Sequence, residues 1–363
     1  MSEIVATIDV SVVTPEVVAA KATEIMDVLS ATYGLDTAGT CADDAAENAK
    51  YADTFSTLEA AGLLSEELLN EYNDLVDFSV RVGYHDLNTD ELVVILPDMP
   101  HLMKNIVTAM ELSSKPKSKR NLSFDNHPIN LNMIKSIWKA TGGAKSNQQQ
   151  HTKLTNKHFE KDPFSRMKVY LAVQVLSNSV FVMLTEAMAD DKVKKPVEKE
   201  KYSRLIEFVE RMNRLVDICN GRDGNFTPEN GKARQRELLD ILAWFWQWRR
   251  NHDERIKMKK GTEFNFFADA TWSCIQRLLL GLAVMIEDLC IKKGETIVPR
   301  RLNTDDLENH FANCRQFVGG SHDKLSAKTW MAAHAKAAKF SLSMIKRGNN
   351  AFAPIFARKK RFF

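Results

Sequence analysis

Several things that would fix this chain's class at a glance are scarce or missing. No apolar run approaches the roughly 20 residues that cross a bilayer, and residues 1–10 lack the basic start and long apolar centre of a secretory signal. The five cysteines, Cys41, Cys219, Cys274, Cys290 and Cys314, are odd in number and scattered, with no C-x-x-C pair. Reduced thiols are therefore expected, and neither a disulfide framework nor a zinc site. Internal repeats are lacking as well. These absences point to a nuclear or cytoplasmic protein with no membrane partner.

Charge is scarce in one sign at each end. Residues 1–100 hold 3 Lys/Arg against 20 Asp/Glu, a balance of −17, so a net charge of +3 leaves +20 on residues 101–363. From Lys324 onward there are ten basic residues and no acidic one. The first part is a poor phosphate binder except through metal ions; the rest suits nucleic acid. At 363 residues, 44% apolar and 27% charged, the chain can bury the cores of two domains.

Strand signals are confined to the first hundred residues. Residues 4–13 alternate apolar side chains on β-favouring types and read as a strand. Thr14-Pro15-Glu16 starts a helix that stops at Gly34, with Thr14 as cap and Pro15 at the first position. A short strand over 37–42 leads into Asp43-Asp44-Ala45-Ala46-Glu47-Asn48 and another helix, and helices are expected over 51–78. A turn at 86–90 precedes Leu92-Val93-Val94-Ile95-Leu96, an apolar run of the length of a central strand. It ends in Pro97-Asp98-Met99-Pro100-His101-Leu102-Met103-Lys104-Asn105, where Asp98 suits a helix cap and His101 local packing, while either could also serve a site at the strand's end. Open α/β sheets place ligands at the carboxyl ends of their strands, where both Asp44 and Asp98 fall.

Beyond the basic linker at residues 113–124 the pattern is helix after helix. A long apolar helix opens near residue 164 and includes Met167-Lys168-Val169; others cover 201–220, 229–258 and 266–291. Trp244, Phe245, Trp246 and Trp248 fall at helical spacing and read as core. Residues 302–320, L-N-T-D-D-L-E-N-H-F-A-N-C-R-Q-F-V-G-G, place Asp305 and Glu308 on one helical face and Leu307, Phe311 and Cys314 on another. That pattern fits a metal-binding helix against a sheet and an ordinary amphipathic helix alike. A terminal helix over 325–347 and the basic tail 358–361 finish the chain.

Taken in order, Asp44-x-x-x-Asn48, D-x-P-H-L-x-K-N from Asp98, the Met167-Lys168-Val169 helix and D-D-L-E-N-H-F-A-N-C-R-Q-x-x-G-G resemble the blocks of the P element family of DNA transposases. Ala45 stands where the family has Gly. The resemblance implies an α/β fold with a large all-α insertion: a truncated RNase H-like sheet over residues 1–118, a helical insertion over 119–300, returning helices over 301–348 and a basic tail over 349–363. It further implies Asp44 and Glu308 as catalytic carboxylates holding Mg²⁺ for two-metal phosphodiester chemistry on DNA. The family's first catalytic Asp and its zinc-coordinating DNA-binding region would precede this sequence, so an incomplete site and impaired cleavage are expected.

The family's insertion binds a guanine nucleotide, which the resemblance assigns to Lys168, Val169, Asp217, Asn220 and Asp305. Asp217-x-x-Asn220 puts a carboxylate and an amide one helical turn apart. The carboxylate can accept from guanine N1–H and its 2-amino group, and the amide can meet O6 or N7. Asn220-Gly221 also reads as a simple helix end, and Val216 occupies the place where an aromatic would stack on the base. Three functions stay open: a transposase-derived DNA-cutting protein, a non-catalytic protein binding GTP or DNA, and a helical interaction scaffold. Self-association is compatible with all three.

Overall fold

In the computed structural model of this chain, the described residues are 14–33, 37–42, 46–143, 152–160, 168–190, 199–262 and 264–304, with isolated positions 314, 332, 333 and 336 beyond them. The expected strand at residues 4–13, the terminal helix at 325–347 apart from positions 332, 333 and 336, and the basic tail lie outside this set. Helix α1 (Pro15–Tyr33) begins as its residue types require: Pro15 lacks an N–H that the first turn could not use, and Thr14 Oγ1 accepts from Val17 N at 3.3 Å.

A four-stranded mixed sheet organises the first hundred residues, in the order β1 (Gly39–Ala42), β4 (Leu92–Pro97), β3 (Arg81–His85), β2 (Leu58–Glu59). β1 runs parallel to β4, with Ala42 opposite Pro97, and β3 is antiparallel to β4. Every residue of β4 is buried because both its faces are covered. Leu92, Val94 and Leu96 point into the main core. Ile95, on the other face, meets Tyr51 and Ala52 of α2 (Ala46–Phe55), with Val18 and Ala19 of α1 packed beside them.

Residues 51–78 are not all helical as the pattern suggested. They hold the end of α2, the edge strand β2, a 3₁₀ turn and α3 (Glu66–Tyr72). β3 also escaped the sequence, because Gly83 breaks its apolar run. That glycine is required, since a Cβ there would sit 2.3 Å from the Val93 carbonyl oxygen across the ladder.

The described residues beyond the sheet are mostly helical: α4 (Met99–Leu112), α5 (Leu131–Ala140), α6 (Asn156–Phe159), α7 (Val169–Val175), α8 (Asn178–Ala189), α9 (Ser203–Cys219), α10 (Gly231–Lys257) and α11 (Asp269–Met285), the last continuing into a π-helical turn, Ile286–Lys292. The single apolar helix expected from residue 164 is two helices, broken at Leu176-Ser177, where the Ser177 hydroxyl turns back onto the Gln174 carbonyl. Contrary to the expectation that no apolar run nears the length of a span, Val169–Ala189 is apolar enough, at a mean hydropathy of 1.4 over 21 residues, to pass for one. The break and the burial of Leu171, Val175, Val180 and Leu184 in the core account for that composition here.

Trp244, Phe245 and Trp248 form an aromatic core with Phe124, Phe208, Phe266, Phe267 and Trp272, as their helical spacing implied. One hydrophobic cluster joins these rings to the sheet. α11 makes that junction. Gly281 lets it lie on β4, where an added Cβ would come within 2.7 Å of Leu96 Cδ2. The basic stretch before β5 (Ser123–Phe124) is pinned to this body, with Asn121 N donating to the Phe264 carbonyl and Trp248 Nε1 to that of Ser123.

Candidate functional site

Parallel pairing brings the carboxyl ends of β1 and β4 side by side, and Asp98 stands at that edge. Its backbone N–H donates to the Ala42 carbonyl at 2.8 Å, the last described residue before the segment that carries Asp44. Its side chain caps α4, as its sequence position suggested: Oδ2 accepts from His101 N at 3.1 Å and from His101 Nδ1 at 2.6 Å. The other oxygen reaches across 206 positions, accepting from Thr304 N at 2.8 Å. Cys41 Sγ adds contacts to the same oxygen at 4.0 Å and to the Leu302 carbonyl at 3.7 Å.

Asp98 is fully buried. Burial by itself would raise the carboxyl pKa. The hydrogen bond from the His101 ring, those from the Thr304 and His101 amides, and the His101 charge together hold it below the ordinary carboxylate value. The charged form is thus the one the surroundings favour.

Asp44, Asp305 and Glu308 lie outside the described residues. The positions flanking them do not: Ala42 lies two residues before Asp44, Thr304 lies four before Glu308, and both bond to Asp98. Among the described residues, no group of three or more His, Cys, Asp or Glu side chains forms a metal site.

The nucleotide-type residues stand elsewhere on the helical body. α9 buries Leu205, Phe208, Val209, Met212, Leu215, Val216 and Cys219. The opposite stripe, at spacings of four and three, is Asn213, Asp217 and Asn220. Val216 is buried in the core, so it could not face a base whatever its size. Asp217 Oδ2 accepts from Asn213 Nδ2 at 3.0 Å, and Oδ1 from Arg222 at 3.2 Å. Asn220 is exposed at the helix end. The helix-end reading of Asn220-Gly221 holds: Gly221 has φ +63°, Arg222 N donates to the Asp217 carbonyl and Gly221 N to that of Ile218, closing a Schellman motif.

Asn213 was not singled out from the sequence, although its spacing from Asp217 offered the signal. Its Oδ1 accepts from Asn178 N at 2.8 Å, which docks the start of α8 on this stripe. Lys168 is exposed at the N-cap of α7, and Val169 is half-buried at its first position. Seven residues of helix, roughly 10 Å, separate Lys168 from the α8 junction. The structure places Asp217 and Asn220 one turn apart at the end of α9, and leads from the Lys168-Val169 pair to Asn213 through α7 and the start of α8.

The stripe and the sheet edge also converge. Phe226 and Ile297 exchange backbone hydrogen bonds at 3.0 and 2.9 Å, fastening the loop after α9 to the segment that follows α11. Gly221 packs beside Pro299 and Arg300, with ideal Cβ distances of 3.6 and 3.9 Å. Four residues past Arg300 comes Thr304, held by Asp98.

Residues 101–229 match the model of the TNP-like, GTP-binding insertion domain family. The fold is similar to that of the Drosophila P element transposase strand transfer complex, with a TM-score of 0.62 at 15% sequence identity, over 92% of this chain and 65% of that one. No curated protein sequence matches the chain. The chain thus spans about 65% of the length of the transposase whose fold it shares.

Proposed function

We propose, on the premise that this chain belongs to the P element transposase-like family and carries its GTP-binding insertion domain on residues 101–229, that it holds DNA at the edge of an RNase H-like sheet and binds a guanine nucleotide on α9. The observation that supports this best is the convergence at Asp98 of Ala42 and Thr304, the described neighbours of Asp44 and Glu308.

Asp44 and Glu308 are the proposed ligands of Mg²⁺, which when bound would activate an attacking water or hydroxyl and stabilise the leaving oxygen. The chain's own part is to bring the two acidic segments to one place and to hold the DNA backbone on the basic surface that follows residue 100. The donor types suit the ion, since carboxylates are the ligands Mg²⁺ prefers.

Asp217 is the proposed guanine-reading group. Its carboxylate is half-buried, supported from one side by Asn213, and its second donor, Arg222, has a side chain 70% exposed. Displacing that guanidinium leaves one oxygen for guanine N1–H and the 2-amino group, with Asn220 one turn away and Lys168 for phosphate.

Incubating the chain with supercoiled DNA and Mg²⁺, beside Asp44→Asn and Glu308→Gln variants, tests the reading. Weak metal-dependent nicking, as an incomplete site would give, that both variants lose is the expected result. Nicking that survives both substitutions refutes the assignment. GTP binding without nicking would favour the second reading, a non-catalytic nucleotide- or DNA-binding protein, for which the Asn213-Asp217-Asn220 stripe is the supporting observation.

A further inference from the structure

Asp98 was read from the sequence as a helix cap, and capping uses only one of its two oxygens. The other binds the Thr304 amide at 2.8 Å. Beside it, Cys41 Sγ on β1 lies 3.7 Å from the carbonyl of Leu302, two residues before Thr304. One fully buried carboxylate therefore ties together the end of β1, the start of α4 and the 302–304 segment, although these lie about 60 and 200 positions apart in sequence.

We infer that Asp98 is a positioning residue, whose charge fixes the returning 302–304 segment against the end of β1 and so sets the separation of the acidic segments carrying Asp44 and Glu308. A neutral cap would not do this as well. The two oxygens face three nitrogen donors, the His101 and Thr304 amides and the His101 ring, and a thiol, and only an ionised carboxylate accepts on both sides. The N-cap role by itself would be served equally by Ser, Thr or Asn. The consequence for catalysis rests on the two-carboxylate reading above, whereas the geometry stands without it.

Hydrogen exchange read by mass spectrometry on the full chain tests the inference, with Asp98→Asn as the first variant. Asn caps a helix about as well as Asp, but its amide group must turn a donor toward either Thr304 or His101. Circular dichroism should remain that of the wild type. Peptides covering 302–310 should exchange on the order of tenfold faster or more, the scale of one hydrogen bond to a charged group. Peptides of α5 and α11 should not change.

Thr304→Pro deletes the donated N–H from the other side and leaves the buried carboxylate untouched. It should reproduce the local acceleration, and it decides the matter if Asp98→Asn does not fold. Unchanged exchange at 302–310, or equal acceleration along the whole chain, would overturn the positioning role. Titration with Mn²⁺ as probe separates this inference from the functional reading. Both variants should bind it roughly tenfold more weakly, as loss of a group supporting metal ligands does. A wild-type chain that binds no Mn²⁺ refutes the two-carboxylate reading, and the exchange result then decides the clamp alone.

Discussion

Replacing Asp217 with Asn should invert the nucleotide preference of α9. In the structure the carboxylate accepts from Asn213 at 3.0 Å and from Arg222 at 3.2 Å. A guanine edge would replace the Arg222 contact, and since that side chain is 70% exposed, its release costs at most about 1 kcal/mol. Each hydrogen bond from guanine to an ionised carboxylate contributes about 1.5–3 kcal/mol. Asp217→Asn should therefore weaken GTP binding roughly 10- to 100-fold. It should strengthen binding of xanthosine triphosphate, whose 2-carbonyl accepts from the Asn amide. Arg222→Ala should leave GTP binding equal or up to about fivefold tighter, the equivalent of the exposed pair it removes. Isothermal titration with both nucleotides measures all three, and unchanged melting temperatures serve as the control. A wild-type chain that binds GTP, with an Asp217→Asn variant that binds it equally well, would refute the assignment of Asp217 to the base.

Close approach at two glycines predicts stability effects of different size. Gly281→Ala gains about 1 kcal/mol of helix propensity but drives a methyl to 2.7 Å from Leu96 Cδ2, and overpacking of about 1–3 kcal/mol should leave a net loss in urea denaturation. Gly83→Ala meets a backbone carbonyl at 2.3 Å, which no rotamer relieves, so a loss of about 3 kcal/mol or more is expected by the same assay. Asp98 has a folded pKa below the unfolded value. Its contribution is complete above the ordinary carboxylate range of about 4 and disappears as pH falls through the folded pKa; acid titration of Asp98→Asn should show a flatter loss below that pH. Burial lowers the pKa of His252, the Asp253 charge opposing and the Arg249, Arg255 and Arg120 charges reinforcing. Its contribution is lost as pH falls below the ordinary imidazole value of about 6.5 toward the folded one, and His252→Phe should remove that part of the pH dependence in thermal melts.

The sheet was legible where a strand is buried on both faces and illegible where it is not. Leu92-Val93-Val94-Ile95-Leu96 carries no polar residue because α11 covers one side and α2 the other, so composition alone marks it as central. β3 gave no such signal, since its two buried residues, Val82 and Gly83, sit between the exposed Arg81 and His85. β2 is two residues long, too short for any period to show. The helices were easier, their stripes repeating over many turns, and the exception is instructive. Residues 169–189 are mostly apolar, and the long apolar flanks masked the polar Ser177-Asn178-Ser179 run that marks the break, which Ser177 and Asn213 make with polar groups.

The candidate site was readable as an ordered set of motifs but not as a place. Asp98 and Thr304 lie 206 positions apart, and neither residue type announces a contact at that range; a cap is all that spacing can report, because capping is local. What brings them together is the course of the chain after α10. α11 lies along β4 because Gly281 permits it, the π-helical turn ends it, the Phe226–Ile297 bridge redirects the strand of chain past Gly221, and Pro299 to Thr304 then meet the carboxyl edge of the sheet. The path runs from the nucleotide-type stripe to the acidic segment within six residues, from Pro299 to Thr304. A ligand that ordered the end of α9 would therefore act on the same short segment that Asp98 holds. The helical body and the sheet edge meet there, and neither could have been located from its own motif.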